Sequence, residues 1–338
     1  MKENKKKQPY NTLQNTAWEL SIGWHTRRRG LVLYTLVALA EILNNLAGLY
    51  ITPKVLGLVE RHAAPGALIG TILLFTAALL LTQGGKAYCK TYAMFCVVEI
   101  RSAIIMLINR KFNETAYPNI MDPAFQRLGN KALDATESNV SATEEIFRTL
   151  SALLTNVGGL LVYLTILSGL NPWLLALMAA TCLGEFAASR YKDNWIYTHR
   201  DDGNTYYHKK RYLRDKAESI TFAKDIRIFG LQNWMFDLLD SVHDACLAFF
   251  LRIEKKRLLV DLVGAVLTVA RNGIAYWYLI RLALTDGLTV SQFVLYFTAA
   301  TTFTAWVLGI LGSLSTLNRQ SLDICQVREF LEFPEPFR

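Results

Sequence analysis

The chain has 338 residues, 52% of them hydrophobic, with a mean hydropathy of +0.22 and 19% charged residues. Ordinary soluble domains carry about 25% charged residues, so this composition points to a membrane protein. The formal charge of +8 argues against a nucleic-acid binder because of where it falls, since such proteins present a basic face on a soluble fold.

Thirty-two of the 36 Lys and Arg lie in four blocks, 7 in residues 1 to 30, 8 in 86 to 148, 14 in 185 to 257 and 3 in 319 to 338. Only Lys54, Arg61, Arg271 and Arg281 lie elsewhere. Alternate connecting segments are thus nearly bare of positive charge, the positive-inside pattern of a multi-pass protein of the cell membrane with both termini cytoplasmic. The cysteines, Cys89, Cys96, Cys182, Cys246 and Cys325, form no CxxC pair and no ligand spacing, so unpaired thiols and no metal site are expected.

Residues 2 to 9 are lysine-rich and expected to be disordered. From Asn11 to His25, Leu13, Ala17, Leu20 and Trp24 share a helical face, with Trp18 and Ile22 beside it, followed by Arg27, Arg28 and Arg29. That pattern predicts a helix lying in the cytoplasmic membrane surface with its arginines at the headgroups. The first long apolar run begins at Leu31 without a small-residue cleavage site, so it is read as an anchor and not a signal peptide.

Windows of about 20 apolar residues predict six spans, near 31 to 53, 67 to 88, 147 to 168, 172 to 191, 258 to 282 and 289 to 317. A tight outer turn is expected at Ser168 to Pro172 (SGLNP). Between the spans, Lys86 to Phe112 contains no Gly or Pro and keeps helical spacing. Helix 2 should therefore run about 40 Å beyond the bilayer at 1.5 Å per residue. The same reading applies to 190 to 218 and to 233 to 257. Each stalk pair reverses at its tip. At the first, Pro118 breaks the helix, and Asp122 with Pro123 offers an N-cap and an N1 proline to a short helix, PAFQRLGNKA. At the second, Glu218 to Leu231 (ESITFAKDIRIFGL) places Phe222, Ile226 and Phe229 on one face, with Gly230 as a stop. Nothing nearby in sequence covers that face, which reads as a docking surface.

The surface helix, six spans, two cytoplasmic excursions, AKDIRIFG at the second tip and the tail VREFLEFPEP together resemble the transmembrane domain of an ATP-binding-cassette exporter of the six-helix type. The resemblance covers nearly the whole chain. It implies an all-α membrane protein with long cytoplasmic helical extensions and two short transverse coupling helices. The corresponding divisions are residues 1–30 for the tail and elbow helix, 31–318 for the six-helix domain, and 319–338 for a linker toward an ATPase domain. It further implies that Asp122, Phe125 and Leu128 at the first tip, and Phe222, Asp225, Ile226, Arg227 and Phe229 at the second, contact nucleotide-binding domains. The partners implied are an ATPase domain that binds ATP and Mg, a second transmembrane half and the lipid bilayer. In the family, helices 4 and 5 reach across to the partner half.

The chain departs from the family in lacking a G-x-x-x-x-G-K-[ST] loop. Gly84-Gly85-Lys86 lacks the spacing, and LSGL at 167 to 170 sits in the outer hairpin. No catalytic residue is expected, and ATP hydrolysis is expected only in an ATPase domain beyond residue 338, which the linker-like tail favours, or in a separate chain.

Polar groups at bilayer depth are the remaining candidates. Glu41 lies about 15 Å into helix 1, with Asn44 and Asn45 on its face, and Arg271 sits similarly deep in helix 5 beside Asn272. Intramembrane ionisable residues face bundle interiors or wet cavities and find partners. These residues line a translocation cavity in the functional reading and form a structural ion pair or a solvated wall in the other. Thr301, in a hydroxyl-rich stripe with Thr298, Thr302 and Thr304, adds to the cavity or packs between helices. Glu185 and Asp261 read as ordinary solvated charges near helix ends. The aromatic run Tyr191 to Tyr212 reads as stalk packing, and the sequons at Asn113 and Asn139 fall on the cytoplasmic side. A gradient-driven carrier and a non-transporting scaffold remain as alternatives.

Overall fold

The computed structural model describes residues 9–168, 172–285 and 287–336, and within them the chain is all helix, with no strand. The lysine-rich start, apart from Pro9, and the centre of the SGLNP turn lie outside the described residues. Ten helices follow in order: α1 (Thr12–Glu60), α2 (Pro65–Glu114), α3 (Tyr117–Met121), α4 (Pro123–Asp134), α5 (Ala142–Leu167), α6 (Pro172–Thr198), α7 (Arg200–Glu218), α8 (Ile220–Ile228), α9 (Gln232–Thr285) and α10 (Val290–Leu331). Five of them, α1, α2, α5, α9 and α10, are long and apolar enough to cross a membrane. The expected fourth span, 172 to 191, falls on α6.

The stalks are continuous where the sequence lacks breakers. α2 has 50 residues and α9 has 54, about 75 and 80 Å at 1.5 Å per residue, against a hydrocarbon core of about 30 Å. The expected stalk over 190 to 218 differs, because the helix breaks at His199, whose φ of −103° and ψ of 13° leave the α region. No Gly or Pro marks that break.

Residues 1–172 with 275–338 form one compact unit and residues 173–274 a second. In the first, α1 bends at Arg27 (φ −151°, ψ 73°), the position where the sequence separates surface helix from span. In the short arm before the bend, polar and apolar side chains point both ways, with Trp18, Leu20 and Ile22 packed partly buried against the core. Asn15, Glu19 and Gly23 are buried, whereas Leu13 is 83% exposed and Trp24 also faces outward. Asn15 donates from its amide to the Ser321 carbonyl at 3.0 Å and accepts from the Arg328 guanidinium at 3.1 Å, fastening the arm to α10.

Small residues let the helices of this unit approach closely. A side chain on Gly159 would meet the Trp306 indole at 2.7 Å, one on Gly158 would meet Ile42 at 2.6 Å, and one on Gly309 would meet Asn156 at 2.6 Å. α1 and α2 run antiparallel, with Arg27 paired to Glu99, Gly30 against the Cys96 side chain, and Asn44 accepting from the Thr82 hydroxyl at 3.1 Å. The part of α2 beside residues 31–53 thus continues to Cys96, past the limit of 88 that the apolar window set.

The α4 end of this unit is held by four rings. Phe125 of α4 lies 5.6 Å from Phe112, 4.9 Å from Phe330 and 5.2 Å from Phe333 between centroids, and is 1% exposed. Replacing Phe125 by alanine should cost about 3–5 kcal/mol in denaturant unfolding of the purified protein; a loss below about 1 kcal/mol would show that the cluster does not hold the tip.

Candidate functional site

The two reversals at the stalk tips belong to different units, and each is built from local chain chemistry. At the first, Asp122 caps α4 by accepting from the Ala124 N–H at 2.8 Å, with Pro123 at the first helical position. This is the N-terminus that the sequence predicts. Phe125, expected to face a partner, is instead turned into the chain's own aromatic cluster, and Leu128 packs partly buried against the same core. Their burial leaves the outward face of α4 to polar side chains such as Gln126, Arg127 and Lys131.

The tail folds back onto this tip. Lys111 donates to the Phe333 carbonyl at 2.7 Å and to Glu335 at 2.6 Å. Glu335 also accepts from the Thr115 hydroxyl at 3.1 Å and the Ala116 N–H at 3.0 Å, and Asn119 donates to the Pro334 carbonyl at 3.0 Å. Lys111, with these other donors, pulls the Glu335 carboxyl down to about 2.

At the second tip, α8 begins after the extended Ser219 and ends in a Schellman closure. Gly230 takes φ +64°, the Phe229 N–H reaches the Asp225 carbonyl at 2.9 Å, and the Leu231 N–H reaches the Ile226 carbonyl at 2.9 Å. No residue of α8 is buried. Its most exposed apolar side chains are Ile220 at 92%, Phe229 at 71% and Ile228. Ile226 is half-buried, and Phe222 is partly covered by the Lys216 ammonium, 4.4 Å from its ring centre. Asp225 and Arg227 are exposed. The predicted stripe of Phe222, Ile226 and Phe229 is therefore only partly the outward face. Ile220 and Ile228 belong to it, and their β-branched bulk at both ends of the helix was the available signal.

The residues expected at membrane depth are placed as follows. Glu41 pairs with Lys86 of α2, a residue that the charge pattern grouped with the cytoplasmic block. Asn45 donates to the Glu41 backbone carbonyl at 2.8 Å, and Asn44 faces Thr82. Thr301 donates to its own helix at the Thr298 carbonyl, 2.9 Å away. In the second unit Arg271 is 4% exposed and pairs with Glu185 at 3.7 Å, while also reaching the Thr268 hydroxyl at 3.2 Å. Asn272 is half-buried beside it. Glu41 and Arg271 thus have separate partners, Lys86 and Glu185. Both partners went unrecognised because each sits near the end of an apolar window, where solvation is the ordinary reading.

Buried charge also gathers at the start of α5. Glu144, with a fully buried side chain, accepts from Arg148 at 3.0 Å and lies 3.5 Å from Arg101. Burial pushes its carboxyl up, and the two guanidinium groups draw it back. Glu19 is equally buried with neither carboxylate oxygen hydrogen-bonded among the described residues, and burial raises it well above the usual carboxylate range. Among the described residues there is no cluster of His, Cys, Asp or Glu able to hold a metal ion.

No protein-family model matches the chain, and no curated protein matches it.

Two outcomes test this geometry. Glu335 has a lower carboxyl pKa when docked than when free, so its contribution is present above the ordinary carboxylate value and is lost as pH falls toward about 2. Hydrogen exchange at the Ala116 amide should accelerate, beyond its intrinsic pH trend, through that window, and E335Q should exchange fast at every pH. For the membrane pair, K86M leaves Glu41 without its cation and should lower the unfolding midpoint more than the double variant K86M/E41Q. Equal loss in both would mean that the pair is solvated and uncoupled.

Proposed function

We propose that the chain is the membrane-embedded permease part of an ATP-driven exporter of the ATP-binding-cassette type, in which α6 is a sixth membrane span and the chain forms a translocation cavity and couples ATPase-domain closure to alternating access. The observation that carries this reading is α8, a short helix closed at its C-terminal end by Gly230, with no buried residue and with Ile220, Ile228 and Phe229 exposed, between α7 and α9 in the chain. A monomer gains nothing from such a surface, since contiguous exposed apolar area marks a site of association. An ATPase domain is the partner that turns a docked tip into mechanical work.

Other features support it. The bend at Arg27 and the outward Leu13 and Trp24 suit an arm lying in the membrane surface. The division of the chain at 173–274 isolates the helix pair that, by resemblance, crosses to a second transmembrane half. The helices α2 and α9 are long enough to carry a displacement from tip to bilayer without a joint. The substrate class is left open by this architecture, since fold does not fix cargo.

The Glu41–Lys86 pair favours a second reading, a carrier driven by an ion gradient, because a titratable pair at membrane depth is a natural coupling site. Both readings meet one experiment. A photocrosslinker at Ile220 should capture a protein domain bearing a phosphate loop, identified by mass spectrometry. Vesicles holding that complex should transport only with ATP. I220S/F229S should abolish the crosslinked complex and lower coupled transport at least tenfold while leaving the unfolding midpoint unchanged, since no residue of α8 is buried. Transport driven by an ion gradient without ATP would establish the second reading instead.

A further inference from the structure

Behind α8, the C-terminal half of α7 and the first turns of α9 border a cavity of about 830 Å³, within the roughly 300–1,000 Å³ typical of small-molecule sites. Its wall divides by chemistry. Leu213 of α7 and Met235, Phe236 and Leu239 of α9 provide a hydrocarbon surface, while Lys210, Arg211 and Arg214 of α7 supply cations. Their spacing on α7 sets Lys210 and Arg214 one turn apart on the same side. Against them stands a single acidic wall residue, Glu218.

None of the three cations has a carboxylate within ion-pair distance among the described residues; Arg211 instead lies 3.1 Å from His208 Nδ1, a second basic wall group. Cations gathered at the mouth of a low-dielectric recess raise the local potential and favour an anion. Guanidinium groups bind carboxylate and phosphate through paired N–H donors. The apolar wall asks for something further, because a bare anion would leave Met235, Phe236 and Leu239 facing water.

We propose that this cavity binds a single-chain anionic amphiphile, with its carboxylate or phosphate head on Lys210, Arg211 and Arg214 and its alkyl chain against Leu213, Met235, Phe236 and Leu239. A fatty acid and a phosphorylated single-chain lipid share this chemistry. Ile226 of α8 lines the same cavity, so the ligand touches the docking helix from behind and restricts its tilt. The site uses α7, α8 and α9 alone and stands independently of how transport is driven.

The test uses the full chain in zwitterionic lipid nanodiscs with a diazirine-bearing dodecanoate as probe. Saturable labelling is expected on the peptide containing Met235, Phe236 and Leu239. Dodecanoate and dodecyl phosphate should both displace the probe, and their relative potency tells which head is preferred. Dodecanol and inorganic phosphate should not. R211E/R214E, at two exposed positions, should lower labelling at least tenfold with an unchanged unfolding midpoint. Equal displacement by dodecanol would reduce the site to a greasy surface, and displacement by inorganic phosphate to a plain anion site. Absence of saturable labelling would mean that the cavity is filled by protein, such as a second copy of the chain. Each of these three results overturns the proposal.

Discussion

Lipid offers no partner for a peptide N–H or carbonyl, and this constraint governs where the chain is free to turn. A continuous helix answers its backbone groups four residues away, so reversals belong in water and need their own chemistry. The chain supplies it. Asp122 with Pro123 starts α4, Ser219 precedes α8, and Gly230 at φ +64° closes it. Between the reversals α2 and α9 run as single long helices, whereas α1 bends at Arg27 and α6 gives way to α7 at His199.

Charge inside the apolar helices is handled by pairing, and the pairs differ in kind. Glu41 meets Lys86 and Arg271 meets Glu185, one acid with one base, each on an adjacent long helix or its unit neighbour. Glu144 serves two arginines. Glu19 has none of this, and its burial raises its carboxyl well above the usual carboxylate range, because an isolated buried carboxylate is costly to keep charged. In the short arm of α1, Asn15 and Glu19 face inward, where Ser321 and Arg328 answer Asn15, alongside Trp18, Leu20 and Ile22, which pack partly buried against the core, while Leu13 and Trp24 face outward.

Local chemistry was legible in the sequence, and long-range register was not. The α4 cap, the Gly230 stop and the length of α2 follow from residue types within one turn of the feature. The partners of Glu41 and Arg271 do not, because hydropathy windows place each helix separately and cannot say which residues of two helices stand at one depth. A shift of eight residues, from the window's end at 88 to Cys96, is enough to hide Lys86 from Glu41. Phe125 shows the same limit in another form. Periodicity identifies an apolar face, yet the face of α4 is covered by Phe112, Phe330 and Phe333 from distant parts of the chain. The break at His199 carries no Gly or Pro and has no local cause that we can name.

The two tips are consequently unequal as mechanical parts. α4 is bound to α2 and α10 through the Phe125 cluster, and the tail is tied over it by Lys111 and Glu335. Nothing of α8 is buried; its C-terminal end is fixed by the Gly230 closure, Lys216 lies over Phe222, and Ile226 lines the cavity behind it. A helix with no buried side chain and a cavity beneath can tilt at little cost in packing. What fills the hollow would therefore touch Ile226 of α8 together with the α7 and α9 side chains that share its wall.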